Sequence, residues 1–395
     1  MPSLSRRAFL GSSAAAALAT HPLLAAGTGN NVLALIGTQT APPTDTTPGT
    51  SKGIYAYSFN TLTGELTRTA LAAATPSPTF LVASPDRRTI FAVNETDSFD
   101  AQHAGAISSF TLDAATGRLT PISQVSSQGA DPCHIAVDPT GTNVFAANYA
   151  GGSAISFHLA GGDHLGKPAS FLQYTGHGPD ASRQQAPHAH RTTVSPDNQY
   201  VLVNDLGLDK IHIYQLDAAT GRLSPNGTDW EAPAGSGPRA LVFHPNGKFA
   251  YCVCEMASKV IVLAWDAQAG TLTTKQEFAL PVDPALIPKG GASTGCEIVL
   301  DRQARFAYVA NRGDDFLATF ALTPDGSRLT YHRRSSAGGT VPRHIALDPT
   351  GHWLLVANQG SSNVAVFARD PQSGYLAETS KSFPLSKPQC IVFPL

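Results

Sequence analysis

The sequence predicts an all-β fold, a seven-bladed β-propeller with four antiparallel strands in each blade. Three features carry that prediction. A hairpin unit recurs along the chain, a second turn marker follows each hairpin, and the two termini hold complementary halves of one unit.

The hairpin is clearest between Asp131 and Gly152. Ile135 to Val137 form a short apolar strand, Asp138-Pro139-Thr140-Gly141 a turn, and Asn143 to Ala147 a returning strand that ends at Asn148-Tyr149. Proline fixes φ in such a turn, and glycine takes the conformation other residues avoid. The unit recurs from Pro238 to Gly247 and again from Pro342 to Gly351. The turn proline or its equivalent falls at Pro85, Pro139, Pro196, Pro245, Arg302 and Pro349, with gaps of 54, 57, 49, 57 and 47 residues.

The second marker ends in Gly-x-Leu or a close variant. It occurs as Thr61 to Leu66, Ala114 to Leu119, Ala218 to Leu223, Ala267 to Leu272, Pro324 to Leu329 and Pro371 to Leu376, with a degenerate copy at Gly161 to Leu165. That makes seven units of about four short strands, the content of a propeller blade. Val32 to Ile36 resembles a second strand with no first before it, and Pro388 to Phe393 a first strand with no second after it. Their pairing would complete the seventh blade and leave no bare sheet edge.

Composition agrees. Charged residues make up 14%, with 35 glycines and 29 prolines, as many short buried strands joined by tight turns require. A formal net charge of −2 argues against nucleic acid or an anionic membrane surface as partner. Residues 1–26 read as an export signal, and residues 30–395 as one propeller domain. Ser5-Arg6-Arg7-Ala8-Phe9-Leu10 matches the twin-arginine motif, Gly11 to Ala19 is a weakly apolar stretch, and Leu24-Ala25-Ala26 offers a cleavage site. The expected partner of that segment is the twin-arginine export machinery, and the expected location is the periplasm or beyond. No later stretch is long and apolar enough to span a membrane. The five cysteines are odd in number and lack a C-x-x-C pair, so they read as small buried apolar residues, not disulfides or zinc ligands.

Thr38 to Lys52, Thr96 to Ala104, Gln173 to Pro187 and Pro281 to Thr294 read as longer loops, all on one face of the disc, here called the top. Such loops commonly carry function, and the tight turns on the opposite face carry the fold. Two rings of side chains converge on the top. The first-strand starts place Thr79, Cys133, His190, Arg239, Cys296, Arg343 and Gln389 there, with His134, Glu297 and His344 as neighbours. The second-strand ends place Glu95, Tyr149, Leu206, Glu255, Arg312 and Gln359, preceded by Asn94, Asn148, Asp205, Asn311 and Asn358. His190, Arg239, Glu255, Arg312 and Arg343 then come within reach of one small ligand.

Plainer roles compete. A repeated asparagine at a strand end is most simply a turn or cap residue. Arg343 reads equally well as a structural arginine bonding carbonyls, and Arg239, Glu255 and Arg312 could form only a buried ion-pair network. Asp209 reads as a solvated loop residue. His103, His158, His164, His212, His332 and His352 fall on outer strands, loops or bottom turns and receive no role.

In Gly53-Ile-Tyr-Ala-Tyr, Pro132-Cys-His, Ala147-Asn-Tyr-Ala-Gly-Gly-Ser, Pro187-His-Ala-His, Asn204-Asp-Leu-Gly-Leu-Asp-Lys, Gly235-Ser-Gly-Pro-Arg, Tyr251 to Glu255, Ala310-Asn-Arg-Gly and Pro342-Arg-His the chain resembles the seven-bladed propeller lactonase family. That family includes propeller-type 6-phosphogluconolactonases and carboxymuconate cyclases. The resemblance implies catalytic roles for His190 (or His188), Arg239, Glu255 and Arg312. His134, His188, Asp205, Arg343, His344 and Gln359 are the expected substrate contacts. The position after Arg239, often histidine in the family, is Ala240.

These residue types suit lactone hydrolysis. Arg239 and Arg312 could stabilise the oxyanion formed when water adds to the carbonyl, and Glu255 or His190 could take the proton. No metal or cofactor is called for, and no serine-centred elbow is present. Export favours a sugar lactone such as gluconolactone over its phosphorylated relative. The competing readings are a lactonising, cyclase-like enzyme and an exported propeller that only binds a ligand or protein at its top face.

Overall fold

The computed structural model describes residues 29–41, 49–101, 103–159 and 161–394. The expected export segment, residues 1–26, and part of the Thr38 to Lys52 loop lie outside the described residues. Seven antiparallel sheets are present. Their innermost strands are Leu81–Ala83, Pro132–Val137, Ala189–Val194, Pro238–Phe243, Thr294–Leu300, Pro342–Leu347 and Pro388–Val392. Each touches the next, and the last touches the first, so the sheets close into a ring. Among the described residues the only helical turn is Pro284–Leu286. The blade that begins at Ala189 departs from the pattern: its outer edge is split into Arg222–Pro225 and Trp230–Glu231.

Burial explains the strand sequences. Middle strands such as Phe249–Cys254 are packed on both faces and read as unbroken apolar runs. Outer strands such as Leu376–Pro384 alternate half-buried and exposed after a buried first residue, as the two-residue period of a strand at the rim requires. The core is accordingly a set of layers between blades. In one layer Tyr251, Val253, Val260 and Val262 of one blade pack on Ile298, Val309, Phe316 and Phe320 of the next. The second sequence marker latches these layers together. The Tyr251 hydroxyl donates to Gly326 O at 2.7 Å, the Tyr308 hydroxyl to Gly374 O at 2.9 Å, and Trp353 Nε1 to Thr61 O at 2.8 Å. The marker is therefore the turn by which each of these blades is held by the one before it.

The ring closes as expected, with a shift in extent. Leu35 pairs with Val392, Ile36 with Ile391, Gly37 with Cys390 and Thr38 with Pro388. Val32 and Phe393 lie beyond this ladder, and the Phe393 ring instead packs edge-on against Phe59 at 5.7 Å. Gly37 is required at the seam, because a Cβ there would stand 2.2 Å from Pro78 O.

Six of the seven innermost strands carry a register shift at their top end, and the ring residues sit inside it. Cys133, His190, Arg239, Cys296 with Glu297, Arg343 and Gln389 all fall between the paired residues on either side of the shift. A β-bulge leaves one residue out of the ladder and re-aims its side chain. The fold thus repeats one device around the axis, and each repeat delivers a different functional group.

Candidate active site

Glu255 is the hub of the top face. It directly follows the strand Phe249–Cys254, is 4% exposed, and its own N–H donates to Gly237 O at 2.7 Å. Three arginines meet its carboxylate. Arg239 Nε lies 3.1 Å and Arg312 Nη2 2.7 Å from Oε2, and Arg183 Nη2 lies 2.6 Å from Oε1. Burial alone would raise the Glu255 pKa, but Arg312, Arg239 and Arg183 outweigh it and hold the group at about 2. The Arg239 Nη1 group also bonds Cys296 O on the next blade. Arg239 Nε and Arg312 Nε are buried, yet neither has an aligned hydrogen-bond acceptor. Close approach to Glu255 therefore supplies charge without using those two N–H groups.

His188 and His190 flank Tyr149. The His188 ring stacks on Tyr149 at 4.6 Å, and His190 meets it edge-on at 5.6 Å. His188 Nδ1 lies 3.0 Å from Tyr149 O. A carbonyl accepts only, so that nitrogen carries the proton and Nε2 holds the basic lone pair. Burial, followed by Arg239, Arg343 and Arg312, pushes the His190 pKa well below the usual imidazole range, so His190 is neutral at physiological pH. The Tyr149 hydroxyl accepts from Arg183 Nη2 at 3.4 Å, which joins the histidine pair to the arginine–glutamate cluster.

Sequence reasoning missed Arg183. It lies in the Gln173 to Pro187 loop, away from both repeat-defined rings, and no periodicity points to it. Its only sequence signal is membership of a long top-face loop just before Pro187-His-Ala-His.

The other expected contacts are spread over more than one level of the axis, and His134 lines a small axial pocket together with His190, Arg239 and Arg343. Asp205 is fully buried, and its Oδ1 accepts the backbone N–H groups of His188 at 2.8 Å and Leu208 at 3.0 Å. It holds the His188 backbone and does not face the mouth. His134 and His344 follow their ring residues in the bulges and sit lower on the axis. His134 packs on Phe80 at 4.2 Å, beside Thr192, and His344 also packs on Phe80, at 5.5 Å. In the same lower layer Arg191 Nη1 and Glu297 Oε1 pair at 2.6 Å. His344, Arg191 and Glu297 also line a recess of about 770 Å³ that opens among the tight bottom turns. Arg343 stays near the mouth, donating from Nε to Gln389 Oε1 at 3.2 Å, and Gln359 Nε2 donates to Gln39 Oε1 at 3.0 Å. Ala240 is buried in the layer between blades.

The plainer reading holds for the repeated asparagines. Asn148 Nδ2 donates to Ser127 O at 3.0 Å and Asn358 Nδ2 to Ala337 O at 3.0 Å, each stapling a hairpin end to the incoming connection. All five cysteines are free and buried. Asp209 is not solvated: it is 6% exposed and accepts the N–H groups of Gly235 and Gly237, each at 2.7 Å, shaping the loop that delivers Arg239.

His212, given no role above, is braced behind the site. It stacks on Tyr174 at 4.1 Å, with Nδ1 2.7 Å from Asp229 and Nε2 3.6 Å from Asp205. Burial lowers its pKa, but the two carboxylates more than compensate, and the net direction is upward. A raised folded-state pKa stabilises the fold fully below the unfolded value of 6.5, and that stabilisation is lost as pH rises through the folded value. The urea midpoint should therefore fall as pH rises above 6.5, and His212→Gln should flatten the fall. Equal slopes in both proteins would remove His212 as the cause. Glu255 acts at the other end: its stabilisation is present above 4.5 and lost only as pH falls toward about 2.

A closed ring of blades that gathers buried, charged and imidazole groups at one mouth of its axis is a propeller with a polar axial site there. The chain belongs to the family described as lactonase, 7-bladed beta-propeller, whose sequence model matches residues 33–393. It is 33% identical over 298 residues to a 6-phosphogluconolactonase of Bacillus subtilis (strain 168), covering 75% of this chain and 81% of that one. A 6-phosphogluconolactonase of Formosa agariphila is 31% identical over 307 residues, covering 77% and 84%. Among solved structures, the periplasmic gluconolactonase of Pseudomonas aeruginosa superposes with a TM-score of 0.83 at 33% identity, covering 92% of this chain and 99% of that one.

Proposed function

We propose that this chain is an exported lactone hydrolase that opens a sugar lactone at the top mouth of its axis. One observation carries the reading: Arg239 Nε and Arg312 Nε are buried N–H donors without an aligned acceptor, on two arginines that share one carboxylate. A buried unsatisfied donor is costly, and such groups are tolerated where a ligand or transition state supplies the missing acceptor. Lactone hydrolysis supplies one. Water adds to the carbonyl carbon, the carbonyl oxygen gains negative charge, and two guanidinium N–H groups can receive it. The ring C–O bond then breaks, and the ring oxygen takes back the proton held by the base and leaves as a hydroxyl.

Glu255 serves this chemistry by holding the arginines in place. A carboxylate kept at about 2 by three guanidinium groups is a poor proton acceptor. His190, with its basicity depressed by burial and three arginines, is also a weak one. The geometry suits His188 to the role of base, because the Tyr149 carbonyl fixes its tautomer and leaves the Nε2 lone pair to take a proton from water.

The names of the relatives support both a phosphorylated and an unphosphorylated gluconolactone. The twin-arginine motif favours the unphosphorylated one, since sugar phosphates are chiefly cytoplasmic. Acid release followed at constant pH, with spontaneous opening subtracted, tests this on glucono-1,5-lactone, its 6-phosphate and other aldonolactones. Turnover should be greatest on an unphosphorylated aldonolactone. No rate above background on any of them would overturn the lactonase reading. Export has its own test: with Arg6 and Arg7 both replaced by lysine, precursor should accumulate in the cytoplasm. Normal delivery of that variant would show that another route reads the segment.

A further inference from the structure

We propose that Arg183 is the receptor for the carboxylate that lactone opening creates, releasing Glu255 in exchange for the product. The proposal rests on the lactonase reading but not on which lactone is used, because every lactone yields a carboxylate.

Three observations carry it. First, the loop is built to present this residue. Asp180 Oδ1 accepts the N–H groups of Ser182 at 2.8 Å and Arg183 at 3.1 Å, and the buried Gln184 anchors the turn by donating to Leu206 O at 2.9 Å. Second, Arg183 is the accessible member of the trio on Glu255. Its side chain is 40% exposed, against 17% for Arg312 and 4% for Arg239. Third, its guanidinium is only partly used. Nη2 serves both Glu255 and Tyr149, while Nε and Nη1 have no protein partner among the described residues. A planar fork with free N–H groups is the arrangement that recognises a carboxylate.

The exchange is one of like for like. In the resting site Arg183 bonds a carboxylate oxygen of Glu255. In the product complex it bonds a carboxylate oxygen of the ring-opened acid, and Glu255 keeps its two buried arginines. Each carboxylate keeps a guanidinium partner at either stage: the opened acid loses its carboxyl proton through the base, and its new charge offsets part of the excess positive charge of the three arginines. The unopened lactone group carries no carboxylate, so this contact forms only as the ring opens.

Calorimetric titration of the mature protein with gluconate, and with sorbitol as the uncharged polyol of equal length, tests this without turnover. Gluconate should bind the wild type, and Arg183→Met should weaken it tenfold or more. Arg183→Lys, which keeps the charge and loses the fork, should recover only part of the loss. Sorbitol affinity should change less than twofold. Under turnover, Arg183→Met should raise the gluconate inhibition constant by the same factor as the titration. Absence of gluconate binding to a wild type that hydrolyses lactones would overturn the proposal and leave the lactonase reading intact. So would equal gluconate affinity in wild type and Arg183→Met, or a parallel loss of sorbitol binding. Arg183-dependent gluconate binding by a protein that opens no lactone would have the reverse effect, sinking the lactonase reading while the carboxylate receptor stands.

Discussion

Arg239→Ala is expected to lower kcat by roughly a hundred- to a thousandfold, the usual cost of removing one donor to a developing oxyanion. The residue sits in a bulge, and its buried Nε lies 3.1 Å from Glu255 without an aligned hydrogen bond to it. Glu255→Gln should lower kcat by a similar factor by a different route, because Arg239 and Arg312 lose the charge that positions them. That variant also leaves two poorly exposed guanidinium groups without their anion, which costs about 3–5 kcal/mol when a buried pair is broken. Activity and folding must therefore be read on the same sample. The decisive quantity is turnover per folded molecule, measured below the melting point of each variant. Undiminished turnover in Glu255→Gln, with only the melting point lowered, would reduce the cluster to a structural ion-pair network. His188→Asn against His190→Asn then assigns the base: loss confined to the His188 variant is the expected pattern.

Deleting Pro388 to Leu395 should abolish cooperative unfolding altogether. The deletion removes the partner of Leu35 to Thr38 and takes Cys390 and Ile391 out of the two core layers on either side of the seam. A ring held by contacts between neighbouring blades loses two interfaces when one innermost strand is lost. The exposed edge also becomes a template for pairing with another chain. Ile391→Ala, which leaves the ladder intact, should cost about 2–5 kcal/mol by cavity formation and remain two-state. A truncated protein that melts sharply near the wild-type temperature would show that the seam contributes little.

The ring was legible in the sequence because its turns repeat. Asp138-Pro139-Thr140-Gly141 and its copies mark the bottom of each hairpin, and counting from them locates the top ring. Those counts reached His190, Arg239, Glu255 and Arg312, three of which the structure places in one ion-pair cluster, with His190 against Tyr149 beside it. One residue further on, the same counting does not give depth along the axis. His134 and His344 follow ring residues in sequence, but the bulge places them on a lower level of the axis, against Phe80. Asp205 was misread for a related reason: a strand-end position does not say whether a side chain turns toward the mouth or back onto its own loop.

The amino-acid sequence by itself determined the number of blades, the seam that closes them and the residues that begin and end each innermost hairpin. All of these follow from local turn chemistry and the two-residue period of a strand, which nearby residues encode. Only the tertiary structure decided that Arg183 completes the cluster, that Glu255 is held by three guanidinium groups, and that two of their N–H donors are left without acceptors. Those facts depend on where a loop comes to rest over the axis and on burial shared by several blades, distances that join residues far apart in the chain and leave no periodic mark in it.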